Sequence, residues 1–151
     1  MEYYTSIKQS KKLVELGLDP KTADMYYQAV LPKFSDKFHH VPEVGNPLHS
    51  LEWYNKGYTT SGKKSLSLDE YCIPCWSVGA LFTVMPNILS KRSGITHVPT
   101  INKSITGNKY FVEYLGSYPN IPINVTSNII TAVYNTVIWL LNNGYIENIK
   151  K

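Results

Sequence analysis

The first thirty residues carry apolar positions at helical spacing, with one strong interruption. Ser6 and Gln9 fit a capping box, in which each side chain binds the backbone of the other at the start of a helix. Gly17 ends this helix, since glycine readily adopts the left-handed conformation found there. The Asp19-Pro20 pair then predicts a second helix to about Val30, because it supplies an N-cap and a first-turn proline. The pattern thus predicts an N-terminal helical pair.

Two further helices are predicted later in the chain. Ser77 caps a short central helix whose apolar residues recur at i, i+3, i+4 and i+7, namely Val78, Leu81, Phe82 and Met85. A longer helix starts near Thr126 or Ser127, ends near Asn143 and carries a broad apolar stripe. We expect five of the large residues to lie in the core: Trp76, Leu81, Phe82, Trp139 and Leu140.

Between these two helices the apolar period becomes alternating. Residues 95–101 and 109–115 are rich in β-branched and aromatic side chains, and Thr106-Gly107-Asn108 separates them. This arrangement predicts a β-hairpin with Tyr110, Val112 and Tyr114 on one face. A third strand is expected at residues 121–125.

Residues 32–66 show no clear period and are interrupted by prolines and glycines. Three of the four histidines lie here: His39, His40 and His49. A long irregular loop in a compact domain is either functional or mobile. A short extended piece is predicted after it, at residues 67–73.

Together these elements predict one α+β domain over residues 1–151, with the C-terminal helix packed across a small antiparallel sheet. An apolar fraction of 43% and a charged fraction of 17% are typical of globular chains. The first residues lack the basic start and apolar run of a secretory signal, and no window approaches the roughly 20 apolar residues of a membrane span. We therefore expect a cytoplasmic protein with reduced cysteines and no membrane partner.

The distribution of charge is more informative than the net charge of +4. Residues 72–111 contain no Asp or Glu, but they contain four cations: Lys91, Arg92, Lys103 and Lys109. With Tyr110, whose ring can stack on a base, the stretch 91–109 predicts a nucleic-acid surface as one alternative. A solvated basic face is the simpler interpretation, and no DNA- or RNA-binding signature accompanies the stretch.

The two cysteines form Cys72-Ile73-Pro74-Cys75, just before the central helix. A helix N-terminus stabilises a thiolate, so a thiol or metal role for Cys72 and Cys75 is a second alternative. Structural zinc would also need two ligands from among His39, His40 and His49, which would give a set of two cysteines and two histidines. The parallel βαβ unit of thioredoxin-like folds is not predicted here. Two half-buried cysteines and solvated loop histidines are the simpler interpretation.

Templates for common enzymes are missing from the sequence. It has no phosphate-binding glycine loop and no Gly-x-Ser-x-Gly nucleophile motif. No catalytic residue and no cofactor is predicted. A composite site built from distant residues stays open, because a single sequence does not show which residues meet.

Three stretches carry a resemblance: residues 10–13 with 16–25, residues 73–77 with 80–81 and 85–86, and residues 139–145. Together they resemble a group of short uncharacterised proteins from gut bacterial genomes and their phages or mobile elements. The resemblance implies a compact α+β domain and a phage or mobile-element origin. It implies no activity and no site residues, because the shared motifs are helix caps and apolar stripes.

The leading hypothesis is therefore a non-enzymatic accessory or protein-interaction protein with an unknown protein partner. The chain has 12 tyrosines, an unusually high number. Tyrosine packs its ring while its hydroxyl stays hydrated, so it favours half-buried surfaces and interfaces.

Overall fold

The computed structural model describes residues 2–30, 39–49, 51–52, 72–115 and 121–150. The helices with described bounds are α1 (Ile7–Glu15), α2 (Val78–Val84) and α3 (Ile129–Asn142). The strands are β1 (Met25–Val30), β2 (His39–Val44), β3 (Cys72–Cys75), β4 (Ile88–Leu89), β5 (Thr96–His97), β6 (Pro99–Lys103), β7 (Tyr110–Tyr114) and β8 (Asn124–Thr126). The described strands form two three-stranded antiparallel sheets, β2-β1-β3 and β6-β7-β8, and a two-stranded ladder β4-β5. A mixed α+β fold with a C-terminal helix is thus confirmed.

Helix α1 begins and ends as the sequence predicts. The Gln9 amide donates to Ser6 Oγ at 3.3 Å, and the Ser6 amide donates to Gln9 Oε1 at 2.9 Å. Both halves of the capping box are therefore present. Gly17 follows the helix with a φ of 89°, in the left-handed region that favours glycine.

The second member of the predicted helical pair is wrong beyond its first turn. Asp19 caps only a 3-10 turn, Pro20–Thr22, where its carboxylate accepts from the Lys21 amide at 2.9 Å. The chain then enters β1, the central strand of its sheet. Strands on both sides satisfy the β1 backbone, and this non-local pairing outweighs the local helix signal.

The segment predicted to be irregular contains β2, which pairs with β1 from Met25 opposite Val44 to Val30 opposite His39. β2 accommodates Pro42 because it is an edge strand in the described sheet. β3 pairs with the other side of β1 and is buried throughout. The predicted extended piece is thus confirmed at its C-terminal end, whereas residues 31–38, 50 and 53–71 lie outside the described residues.

The predicted hairpin is confirmed as β6 and β7, with Ile101 opposite Val112. The predicted third strand is present as β8, slightly later in the sequence, and pairs with β7. The first strand of the predicted hairpin, residues 95–101, is divided in the structure. Its first part forms β5, which pairs with β4 and is not continuous with β6. Asn124 Nδ2 donates to Thr136 Oγ1 at 2.9 Å, which fixes α3 against this sheet.

The main core cluster joins α1, α2, β7 and α3, and it includes Leu13, Leu18, Trp76, Leu81, Val112, Val133, Val137 and Leu140. Of the five expected core residues, Trp76, Leu81 and Leu140 are fully buried. Phe82 and Trp139 are only half-buried against this cluster. Trp139 stacks on Tyr145, with ring centroids 5.6 Å apart and an angle of 19° between the planes. Its ring therefore holds the chain after α3 instead of filling the centre of the core.

The end of α1 is in close contact with the C-terminal residues. The Ile149 amide donates to the Gly17 carbonyl at 3.0 Å, and a Cβ on Gly17 would overlap the side-chain amide of Asn148. Gly144 has a similar φ of 74°, but a Cβ there would meet open space. An alanine at Gly17 would therefore meet both backbone strain and steric overlap, whereas an alanine at Gly144 would meet backbone strain alone.

We predict that Gly17→Ala lowers the free energy of unfolding by about 3 kcal/mol, from left-handed backbone strain and overpacking together. Gly144→Ala should cost only about 1–2 kcal/mol, from backbone strain alone. Urea denaturation measures both costs. In a protein that also carries Asn148→Ala, the cost of Gly17→Ala should fall to that of Gly144→Ala, because the side chain that overlaps the new Cβ is removed. Equal costs in the unaltered background would contradict the close contact.

Candidate functional site

The two cysteines lie inside the buried strand β3, and not in a loop at the start of a helix. Both are free thiols with 0% of their surface exposed. Cys72 Sγ donates to the Pro47 carbonyl at 3.4 Å, and Cys75 Sγ donates to the Thr5 carbonyl at 3.4 Å. Because side chains alternate along a strand, residues three apart leave opposite faces of the sheet. The two thiols therefore contact different surroundings.

Burial raises the pKa of the Cys72 thiol to about 12 and the pKa of the Cys75 thiol to about 11. This direction is the opposite of the lowered pKa that activates a thiol at a helix N-terminus. The reason is that both cysteines precede Ser77, the N-cap of α2, within a strand that excludes water. The thiols are thus protonated at neutral pH.

Cys75 belongs to a buried polar cluster centred on Thr5. The Thr5 amide donates to the Trp76 carbonyl at 2.9 Å, and the Trp76 amide donates to Thr5 Oγ1 at 3.0 Å. The same hydroxyl lies 2.8 Å from Ser10 Oγ. The Tyr27 hydroxyl donates to the Thr5 carbonyl at 2.8 Å. The cluster therefore joins the segment before α1 to both β1 and β3.

The three loop histidines do not gather around the cysteines. His39 and His40 are adjacent in β2, so their side chains leave opposite faces of the sheet, and His49 is exposed. Burial, followed by the charge of Lys11, lowers the pKa of His40. Among the described residues, no three His, Cys, Asp or Glu side chains are placed to share one metal ion.

The cations of the predicted nucleic-acid surface fall into two separate turns. Lys91 and Arg92 lie between β4 and β5, whereas Lys103 and Lys109 flank the loop of the β6–β7 hairpin. All four are exposed. Lys103 is opposite Tyr110, and its Nζ lies 5.8 Å from the centroid of that ring. Within the described part of the chain, the hairpin end is thus the one of these two turns that combines a cation with an aromatic ring.

A cleft of about 730 Å³ lies between the 3-10 turn, α2 and residues 146–149. Its apolar lining consists of Leu18, Ala80, Val84, Ile146 and Ile149. The polar lining contains three acids, Asp19, Asp24 and Glu147, and no Lys, Arg or His among the described residues. Ligand clefts in proteins commonly enclose roughly 300–1,000 Å³ and have mainly apolar walls. We call this site the acidic cleft.

Hydrogen bonds between distant parts of the chain hold the walls of the acidic cleft. The Ser77 amide donates to Asp24 Oδ1 at 2.9 Å, and the Ser77 hydroxyl donates to Asp24 Oδ2. Trp76 Nε1 donates to Thr22 Oγ1 at 2.9 Å. These bonds fix the start of α2 against the 3-10 turn. The third wall, residues 146–149, is fixed by the hydrogen bond between the Ile149 amide and the Gly17 carbonyl.

The sequence does not predict the acidic cleft as a site. Asp19 has a visible cap signal, but Asp24 lies in the segment expected to be the second helix. Nothing in the local pattern relates residues 146–149 to residues 17–24, because caps and apolar stripes describe only neighbours in the sequence. The pairing of β1 with β3 brings Asp24 beside Ser77, and only the folded chain shows this contact.

Comparisons with protein families, curated proteins and solved structures find no match to this chain. None of the described helices is long and apolar enough to cross a lipid bilayer. The geometry and charge of the described surfaces are therefore the basis for a proposed function.

We predict that both thiols resist a chromogenic disulfide reagent while the protein is folded. With pKa values of about 11 and 12, the thiolate fraction near pH 8 is roughly 0.1% or less. Both thiols should react at once in denaturant. Fast labelling of either cysteine under native conditions, located by mass spectrometry, would contradict their burial.

The same pKa values predict the sign of a pH effect on stability. The folded pKa values lie above the ordinary value of 9.0, so the folded state keeps protons that the unfolded state loses. The contribution of the neutral thiols is complete below pH 9 and declines as the pH rises towards 11–12. In urea denaturation at rising pH, the midpoint should fall less in a variant with Cys72→Ala and Cys75→Ala.

We predict that Thr5→Val lowers the free energy of unfolding by about 2–3 kcal/mol, since it keeps the shape but leaves the Trp76 amide and Ser10 hydroxyl without this partner. Thr83→Val is the matched control, because the Thr83 hydroxyl is exposed and, among the described residues, binds only the Gly79 carbonyl within α2. Its cost should stay within about 0.5 kcal/mol. Similar urea midpoints for the two variants would contradict the role of Thr5.

Proposed function

We propose that this protein is a non-enzymatic accessory protein of the cytoplasm that binds a partner protein through the acidic cleft. The observation that supports this proposal is the combination of apolar walls with acids as the only charged side chains in the described lining. A cleft of this chemistry favours a segment that carries Lys or Arg beside apolar side chains. The phage or mobile-element origin implied by the sequence resemblance is part of the same proposal.

The three acids keep capacity to accept further hydrogen bonds. Asp24 binds Ser77 and Asp19 binds the Lys21 amide, whereas Glu147 is exposed and forms no hydrogen bond with the described residues. An ionised carboxylate offers about four lone-pair sites, so the capping bonds leave room for a guanidinium or ammonium group. Charged hydrogen bonds of this kind are roughly twice as strong as neutral ones.

The roles of Asp19 and Asp24 within the fold support binding more than catalysis. Each carboxylate accepts a hydrogen bond from the backbone at the start of a helical turn. Carboxylates held in this way present negative charge at fixed positions, which attracts a cation. Removing the apolar lining from water favours binding as well.

The test uses a panel of short peptides that share their apolar residues and differ only in carrying Arg, Gln or Glu. We expect the Arg peptides to bind most tightly and to shift the backbone amide resonances of residues that line the acidic cleft. Tight binding of the Glu peptides, equal binding of all three, or no binding would overturn the proposal.

Two pairs of variants test whether the Arg peptides bind in the acidic cleft. Thr83→Arg introduces a cation into the cleft, and Thr96→Arg introduces the same charge at an exposed position on β5. Glu147→Gln removes a cleft charge, and Glu43→Gln removes an exposed charge on β2. Thr83→Arg should weaken Arg-peptide binding about tenfold and Glu147→Gln severalfold, while both controls leave it unchanged. Equal effects within either pair would contradict the assignment.

A further inference from the structure

Helix α1 carries positive charge where it does not stabilise the helix. Lys8 lies in the first turn, which contains no acidic residue, and the helix dipole disfavours a cation at that end. Lys8 is also three residues before Lys11 and four before Lys12, spacings at which like charges repel on a helix surface. Local rules broken in this way are typical of functional positions.

These lysines line a second groove of about 800 Å³, together with Ile7, Glu15 and Tyr134. Lys8 and Lys11 are exposed and form no ion pair with the described residues. Lys12 Nζ lies 3.1 Å from Glu15 Oε1, so its charge is partly balanced. Three lysines and one glutamate leave this lysine groove with a charge of +2.

The surroundings of the lysine groove offer further polar groups. Burial raises the pKa of Tyr134 on α3, so its hydroxyl remains a hydrogen-bond donor at neutral pH. On β2, the charge of Lys11 acts on His40, whose Nε2 is buried without a hydrogen-bond partner in the described structure. The groove thus combines two unpaired ammonium groups, a third that a competing anion can recruit, and a neutral donor.

We propose that the lysine groove binds a phosphate-bearing ligand. A phosphate group carries close to two negative charges at neutral pH and several acceptor oxygens, which match the charge and the donors of the groove. A bound phosphate would also neutralise the cation in the first turn of α1 and reduce the repulsion among the three lysines. None of the described residues lines both this groove and the acidic cleft.

Pyrophosphate is the first probe, with binding followed through the backbone amide resonances of residues 7–15 and Tyr134. Replacing Lys8, Lys11 and Lys12 together with Gln should weaken binding at least about tenfold, because charged hydrogen bonds are lost. Gln has a helix propensity close to that of Lys, so circular dichroism should show the same helix content. A matched double variant, Lys91→Gln with Arg92→Gln, removes exposed charge elsewhere and should bind as the unaltered protein does.

Glu15→Gln should change the affinity for pyrophosphate in the opposite direction. This change frees Lys12 from its ion pair and removes the only negative charge in the described lining of the lysine groove, so pyrophosphate should bind several times more tightly. A loss of structure cannot produce tighter binding, which separates the effect from damage to the fold. Unchanged or weaker binding would contradict the proposed role of the groove.

A short single-stranded oligonucleotide is the second probe and distinguishes the source of the phosphate. Binding that is lost in the triple lysine variant would identify phosphodiesters as ligands, with a log–log salt slope of about −0.7 for each phosphate contacted. Binding of pyrophosphate alone would identify a small phosphorylated molecule. Failure of both probes, equal binding by the triple variant, or loss only in the Lys91 and Arg92 variant would overturn the proposal.

Discussion

The buried hydrogen bonds of Thr5 are the constraint on which both candidate surfaces depend. They fix the segment before α1 to β3, and next to them the Val78 amide donates to the Tyr3 carbonyl at 2.9 Å. This junction sets the start of α2, and hence one wall of the acidic cleft. It also sets the start of α1, and hence the position of the lysines. In a buried environment such a network is stable only when its polar groups are satisfied, because an unpaired group costs about 1–3 kcal/mol.

The two cysteines carry the most nucleophilic side chains of this chain, but both lie in the buried interior of the fold. Cys72 and Cys75 fill a strand that excludes water, and burial is the largest cause of the raised pKa of both thiols. Cys75 also donates to the Thr5 carbonyl and so completes the same polar cluster. The reactivity of a thiol therefore follows from its burial and from the element that carries it, more than from the spacing of two cysteines in the sequence.

The fold gathers acidic side chains on one surface and basic side chains on another, although the two kinds are not far apart in the sequence. The 3-10 turn, the start of α2 and the C-terminal residues bring acids together in one cleft, while a single face of α1 gathers lysines in another. The modest net charge of +4 conceals this division. A chain with two surfaces of opposite sign can select two chemically different ligands, since each surface repels the ligand that the other attracts.

The sequence alone determined the elements whose signals are local. The capping box of α1, the Ser77 cap of α2, the β6–β7 hairpin and α3 each depend on residues close together in the chain, so pattern and capping chemistry were enough. Only the tertiary structure decided that residues 25–30 form a strand, because pairing with β2 and β3 outweighs the helix start at Asp19. It also decided which acids share a cleft, which lysines line a groove and that both cysteines are buried. Those properties depend on burial and on contacts between residues far apart in sequence, and a one-dimensional pattern does not contain them.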